Sequence, residues 1–216
     1  MRDRYLYLAR HGEATSDGSG LTGAGRRQAG LLGGRLRGVP LEAVHHGPLP
    51  RAARTARLVA ERLGAGRPDT GRPGPVPLRE CEAAGDYVPY VPERDELPVG
   101  VADAMLPHVA SVTDAERARG AELARRAVAE FTGTAGGEGA PRHELVVTHA
   151  FLVAWLVRAA MDAPAWRWMG LNHGNCALTV IRYAPARPPA VLVLNDMGHL
   201  PDALRWTGFP APLRAP

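Results

Sequence analysis

The sequence predicts an α/β fold: a three-layer α/β/α sandwich with a mainly parallel central sheet of about six strands. Two observations carry this reading. Short apolar runs alternate along the chain with helix-length amphipathic stretches, the pattern of a parallel sheet covered on both faces. Polar motifs follow three of those runs directly, where open α/β sheets gather their ligands. With no internal repeat and no dividing linker, the 216 residues read as a single domain, 1–216.

Taken in order, Tyr5-Leu6-Tyr7-Leu8-Ala9 forms a buried first strand. Thr22 caps a helix over 23–37, with Leu21, Ala29, Leu32 and Leu36 on one side. Glycines at 25, 30, 33 and 34 weaken that helix, so packing must support it. A short strand at 41–45 precedes a helix at 51–64 that sets Ala52, Ala56, Val59 and Leu63 at helical spacing. A Gly/Pro/Arg loop at 64–75 leads to a third strand, Val76-Pro77-Leu78. Residues 81–112, with prolines at 89, 92, 98 and 107, hold no sustained period and read as a covering insertion beside the site. Thr113-Asp114-Ala115-Glu116 is a capping box opening a helix that buries Ala121, Ala124, Val128 and Phe131. A glycine-rich loop at 133–140, a strand at Leu145-Val146-Val147, a helix near 150–161, strands near 177–183 and 190–195 and a proline-rich tail complete the chain.

Composition excludes several functions. Hydrophobic residues at 45% and charged residues at 22% are ordinary for a soluble globular protein. No apolar run reaches the roughly 20 residues of a bilayer span, and the first residues are too soon interrupted for a secretory signal. Cys81 and Cys176 make no disulfide framework and read as buried apolar groups. The expectation is a cytoplasmic protein with no membrane partner. A net charge of +4 and a pI near 9.6 suggest nucleic acid. Yet all 26 basic residues are arginine, and Ile181 is the sole isoleucine, a bias that fits a GC-rich bacterial genome. Those arginines are interleaved with acids and form no basic block, so no nucleic-acid partner is expected.

The chemistry lies at the predicted strand ends. Arg10-His11-Gly12-Glu13 follows the first, Gly47-Pro48-Leu49-Pro50-Arg51-Ala52 the second, and Thr148-His149 ends the fourth. Two histidines and two arginines converge if the strands are neighbours, a set suited to a phosphoryl dianion. In that setting the nearby arginines disfavour an imidazolium at His11.

These blocks carry a family resemblance. Leu8-Ala9-Arg10-His11-Gly12-Glu13 is followed by Leu21-Thr22 with Gly25 and Gln28-Ala29. Then come Pro48-Leu49-Pro50-Arg51-Ala52 with Thr55-Ala56, Leu78-Arg79-Glu80, and Val146-Val147-Thr148-His149. In order and spacing the chain resembles the histidine phosphatase superfamily, also called phosphoglycerate mutase-like, on its phosphatase branch. The resemblance implies an enzyme: a histidine acid phosphatase-like phosphomonoesterase that needs no metal or other cofactor. His11 would be the nucleophile through a phosphohistidine. Arg10, Arg51 and His149 would hold the phosphoryl oxygens.

It also implies Glu80 as general acid and base. Relatives commonly place a glycine four positions after that acid, whereas Gly85 stands five after Glu80, so Glu82 and then Asp86 are the alternatives. Arg54, one turn beyond Arg51, is a possible substitute for it. Glu13 reads as a structural partner of the pocket, and His199 as a brace in a block recurring near the family's C-terminus. His173 and Asn175 are candidate donors near the phosphate. The His45-His46 pair has no carboxylate at ligand spacing, so no metal site is expected.

Mutases of the family carry a tryptophan-asparagine pair and a further arginine after the first motif. Here Ala14-Thr15-Ser16-Asp17-Gly18-Ser19-Gly20 has neither, and Asp17 should point away from a phosphate. Hydrolysis is therefore expected over a mutase reaction, the alternative being a mutase or an inactive phosphate-binding module. The substrate would be a small-molecule phosphate ester or a phosphorylated protein. Tyr87, Tyr90 and Arg94 of the insertion are its candidate contacts. Trp206, Phe209 and Leu213 of the tail would dock on their own domain or on a second subunit, making a homodimer possible.

Overall fold

The computed structural model describes residues 1–64 and 75–209, so the predicted 64–75 loop and Leu213 fall almost wholly or wholly outside the described residues. Six strands form one sheet: β1 (Arg4–Arg10), β2 (Ala43–His46), β3 (Leu78–Glu80), β4 (Arg142–Thr148), β5 (Leu178–Tyr183) and β6 (Ala190–Asp196). Their order is β3-β2-β4-β1-β5-β6. The first four strands in that order run parallel, while β5 and β6 are antiparallel to their neighbours.

Alternation along the strands builds two apolar layers. Leu6 and Leu8 of β1 with Val146 of β4 face one way, onto α4 (Asp114–Phe131) and α5 (Ala150–Ala160). Ala9, Leu145 and Val147 face the other way, onto α1 (Gly23–Arg35) and α2 (Pro50–Gly64). The three-layer arrangement follows. A short helix, α3 (Ala102–Met105), lies in the insertion, which also holds 3-10 turns at Glu82–Ala84, Arg94–Glu96 and Leu106–Val109.

The helices form where the caps place them. Thr22 accepts from the Gly25 amide to open α1, and the Thr113–Glu116 box opens α4. Ala52, Ala56, Val59 and Leu63 are buried on α2 as the spacing predicts. Burying each large side chain of that stripe contributes about 1.5–3 kcal/mol. In α4 the buried face is Gly120, Leu123, Ala124, Ala127 and Phe131, whereas Ala121 and Val128 lie at its margin. The stripe turned because Gly120 lies directly against the Val88 carbonyl, an approach that no side chain tolerates. Strand β3 begins at Leu78 rather than Val76, since Pro75 and Pro77 offer no N–H to a ladder. β2 begins at Ala43 rather than at residue 41.

Candidate active site

The register of two strands places the central pair. Arg10 of β1 is paired with Thr148 of β4, so His11 and His149 are each the first residue beyond the paired ends. Neighbouring strands lie about 4.8 Å apart, and the two imidazole centroids are 5.0 Å apart. Because β5 is antiparallel, its beginning meets the same edge, which delivers His173 and Asn175 there. The Arg10 guanidinium donates to the His173 carbonyl at 3.1 Å, and Asn175 donates to the His11 carbonyl at 2.8 Å.

His11 is fixed in one tautomer. Its Nδ1 lies 2.7 Å from the Gly12 carbonyl, which can only accept, so Nδ1 carries the proton and Nε2 keeps its lone pair. The ring is buried, and burial, with His149, Arg10 and Arg51 nearby, pulls its pKa from 6.5 to about 3 against the opposing pull of that carbonyl. Burial first, then Arg51 and Arg10, likewise brings His149 to about 3. Both rings are neutral at physiological pH. Neither nitrogen of His149 has a hydrogen-bond partner among the described residues. A cleft of about 200 Å³ opens onto Arg10, His11, Asp86, His149, Ala150 and Phe151.

The loop that carries His11 is held from beneath. The Gly12 amide donates to the buried Thr55 hydroxyl at 3.0 Å, and Thr55 in turn donates to the Arg51 carbonyl at 2.8 Å. Gly12 serves close approach, since a Cβ there would lie 2.5 Å from the Gly25 carbonyl oxygen. Its φ is not in the left-handed region, so the unusual dihedral that glycine permits is not used. Glu13 accepts from the Thr22 hydroxyl at 2.7 Å, bracing the α1 cap. Thr55 and Gln28 are working parts that the sequence reading did not single out as such. Gln28, wholly buried, accepts from the Glu13 amide and donates to the Leu204 carbonyl and the Thr207 hydroxyl. A polar residue on the buried side of an amphipathic helix was the available sign.

The three candidate acids separate clearly. Glu80 is exposed at the end of β3 and does not line the cleft. β3 is the edge strand, three spacings or about 14 Å from β1. Glu82 pairs outward with Arg119 and, at 3.2 Å, with Arg126. The Glu82–Ala84 turn folds back across the strand ends, where the Thr148 hydroxyl donates to the Ala84 carbonyl at 2.7 Å. That return carries Asp86 to the cleft. Its carboxylate lies 2.6 Å from Arg51 Nη2 and 3.5 Å from His149 Nδ1.

The remaining candidates are placed as follows. Arg54 is exposed on α2. Asp17 accepts from Thr15 and Ser19 within its own exposed loop and does not line the cleft. His45 donates to Glu144 and His46 to the Gly47 carbonyl. No cluster of three metal-ligating side chains occurs among the described residues. His199 donates to the Cys176 carbonyl at 3.1 Å. Cys176 is buried and Cys81 half-buried, its thiol donating to Glu130. Tyr87 donates to the Ala83 carbonyl beside the cleft. Tyr90 bonds Glu96 and Arg94 pairs with Asp103, both on the outer surface. The tail docks on its own domain, with Trp206 against Phe209 and the Arg10 guanidinium 4.9 Å from the Phe209 ring. No helix among the described residues is long and apolar enough to cross a membrane.

Comparisons with known proteins agree with this geometry. The serine/threonine-protein phosphatase Pgam5, mitochondrial, of Caenorhabditis elegans is 29% identical over 202 residues, which is 92% of this chain and 64% of that protein. The Caenorhabditis briggsae protein of the same name is 26% identical over 211 residues, with 94% and 67% covered, so the chain spans about two thirds of these relatives. The probable phosphoglycerate mutase GpmB of Salmonella arizonae is 25% identical, with 90% and 94% covered. Among solved structures, YhfR of Bacillus stearothermophilus superposes with a TM-score of 0.61 at 25% identity, covering 91% of this chain and 98% of that one. The mycobacterial glucosyl-3-phosphoglycerate phosphatase shares the fold, with a TM-score of 0.59 at 22% identity and 90% and 99% covered. The family model described as histidine phosphatase superfamily (branch 1) matches residues 6–196, and the chain belongs to that superfamily.

Proposed function

We propose that the chain is a phosphomonoester hydrolase of the acid phosphatase-like kind, working through a phosphohistidine on His11, with Asp86 rather than Glu80 as general acid and base. One observation carries the reading: the Nδ1–Gly12 bond leaves His11 Nε2 as a free, neutral nucleophile in a cleft shared with Arg10, His149 and Asp86. In the first step the Nε2 lone pair attacks phosphorus in line and forms an N–P bond. The P–O ester bond breaks, and the leaving oxygen takes its electron pair and a proton from the Asp86 carboxyl. In the second step Asp86 accepts a proton from water as the water oxygen bonds to phosphorus. The N–P pair returns to the ring, releasing inorganic phosphate. Arg10, Arg51 and the unpartnered His149 ring spread over the phosphoryl oxygens and stabilise charge in transit, which is most of what phosphoryl transfer requires. Arg51 is bound to the Asp86 carboxylate at rest, so an arriving ester monoanion takes over that guanidinium and passes its own proton to the released carboxylate, which hands it to the leaving oxygen.

Hydrolysis is favoured over mutase chemistry by the loop after the first motif, where Asp17 is turned into its own hydrogen bonds and no further arginine is present. The test is hydrolysis of an aryl phosphate in the presence of a chelator. Activity should survive chelation and vanish in His11→Ala, along with the acid-labile phosphoenzyme trapped on rapid quenching. Activity retained in that variant would remove His11 as nucleophile. A need for a bisphosphate primer, with a phosphoenzyme slow to decay in water, would favour the mutase instead. For the acid, Asp86→Asn should slow poor leaving groups far more than activated ones, while Glu80→Gln should leave that ratio alone.

A further inference from the structure

Beside the catalytic cleft lies a larger groove of about 410 Å³, set between the insertion and α4. Asp86 and Phe151 line both cavities, so the groove opens directly onto the place where a leaving group departs. Its apolar surface is built from Tyr87, Val88, Val112, Leu123 and Phe151, beside the polar Asp86, Ser111, Glu116 and Arg119. Apart from the exposed Ser111, the polar side chains on it are already engaged. The Tyr87 hydroxyl donates to the Ala83 carbonyl at 2.8 Å. Glu116 is closed into the cap of α4 by Thr113. Arg119, the one cationic side chain among the described lining residues, is paired with Glu82. Phe151 is exposed although it is large and apolar, and it is held edge-on to the Trp168 ring at 4.9 Å, a rigid platform at the mouth of the cleft.

The geometry points to a leaving-group subsite for a bulky, largely apolar alcohol, so that the substrates are phosphomonoesters of aryl or aralkyl alcohols rather than sugar or carboxylate-bearing phosphates. This rests on the phosphatase reading above and deepens it. A second anionic group on the substrate would meet Asp86 and Glu116 with no unpaired cation to receive it. A sugar would set most of its hydroxyls against valine, leucine and phenylalanine, with Ser111 the one lining hydroxyl without a bond of its own. An apolar alcohol loses only its contact with water. The volume lies within the range of small-ligand pockets, roughly 300–1,000 Å³.

The test compares phosphate esters of primary alcohols, which share a similar leaving oxygen: phenylpropyl phosphate, a hexose phosphate, glycerol phosphate and a phosphoserine peptide with polar flanks. The value of kcat/KM for the phenylpropyl ester should exceed each of the others by about tenfold or more. Val112→Asp should reduce that ratio by about the same factor. Equal rates across the series, or preference for the hexose ester or the peptide, would overturn the subsite. Calorimetric binding of phenylpropylphosphonate against ethylphosphonate to the unaltered protein gives a readout independent of turnover and of the variant's folding. Tighter binding of the phenylpropyl compound supports the groove, and equal binding rejects it. Absence of turnover on every ester, with phosphonate discrimination retained, would strike the phosphatase reading while leaving the subsite standing.

Discussion

Two buried polar clusters sit at opposite ends of the same strands, and they are built on opposite principles. At one end Arg4 of β1, His45 of β2 and Glu144 of β4 meet under the end of α4. Glu144 receives Arg4 at 2.9 Å, Arg142 at 2.6 Å and His45 at 3.1 Å, and Arg4 also donates to the carbonyls of Thr132 and Glu130. Burial alone would raise the Glu144 pKa, but His45, Arg4 and Arg142 hold it at about 2. At the other end His11 and His149 are also buried, yet both are neutral, and neither nitrogen of His149 is hydrogen-bonded among the described residues. Glu144, bonded by three side chains, locks the fold, whereas the open nitrogens of His149 line a cleft and are prepared for something that arrives. Burial by itself separates nothing here, because both clusters have it.

Substitutions should break this contrast in opposite directions. His11→Ala should lower kcat by about 10⁴-fold or more, given the loss of the nucleophile. The same change should leave the urea midpoint nearly unmoved. Glu144→Ala should do the reverse, destabilising the chain by about 3–5 kcal/mol because two arginines lose their buried counter-charge. KM of the folded fraction should not change, and urea unfolding paired with kinetics reads both quantities. Asp86→Asn should lower kcat on alkyl esters by about 10²-fold or more, and it also frees Arg51 for the phosphoryl group, so KM should not rise. A rise in KM with kcat unaltered would make Asp86 a binding residue only.

Two smaller effects sharpen the comparison. The histidine pair titrates from 6.5 in the unfolded chain to about 3 in the folded one, so the unfolded state binds more protons between those values. Stability should fall as pH drops from 6.5 toward 3, and replacing both histidines with glutamine should flatten that part of the curve of Tm against pH. The amplitude of phosphoenzyme formation should stay level below pH 6.5 and collapse only near 3, where His11 gains its proton. Thr22→Ala should cost about 1 kcal/mol through loss of the α1 cap, with a small secondary loss of activity because Glu13 bonds that hydroxyl.

Much of the site was legible because each part is local. Arg10-His11 and Thr148-His149 are fixed to the ends of apolar runs, and a strand end is a place that spacing alone can identify. The carboxylate at the cleft was not legible in that way. Glu80 stands at a strand end as the others do, but its strand is at the sheet's edge, while Asp86 reaches the cleft only through a chain reversal over β2 and β4. The face of α4 was misread for a similar reason. Gly120 carries no hydrophobic signal, and its burial is set by the Val88 backbone against it.

What the sequence by itself determined was the layered α/β plan, the caps of α1 and α4 and the strand-end positions of Arg10, His11 and His149, which line the cleft. These depend on periodicity, on side-chain oxygens beside helix starts and on motifs a few residues long. Tertiary structure decided the pairing of β1 with β4, the proton on His11 Nδ1, the carboxylate that faces His149 and the groove beside the cleft. Each of these is a contact between segments far apart in the chain. Such contacts are set by which surfaces pack together, and no short run of residues encodes that choice.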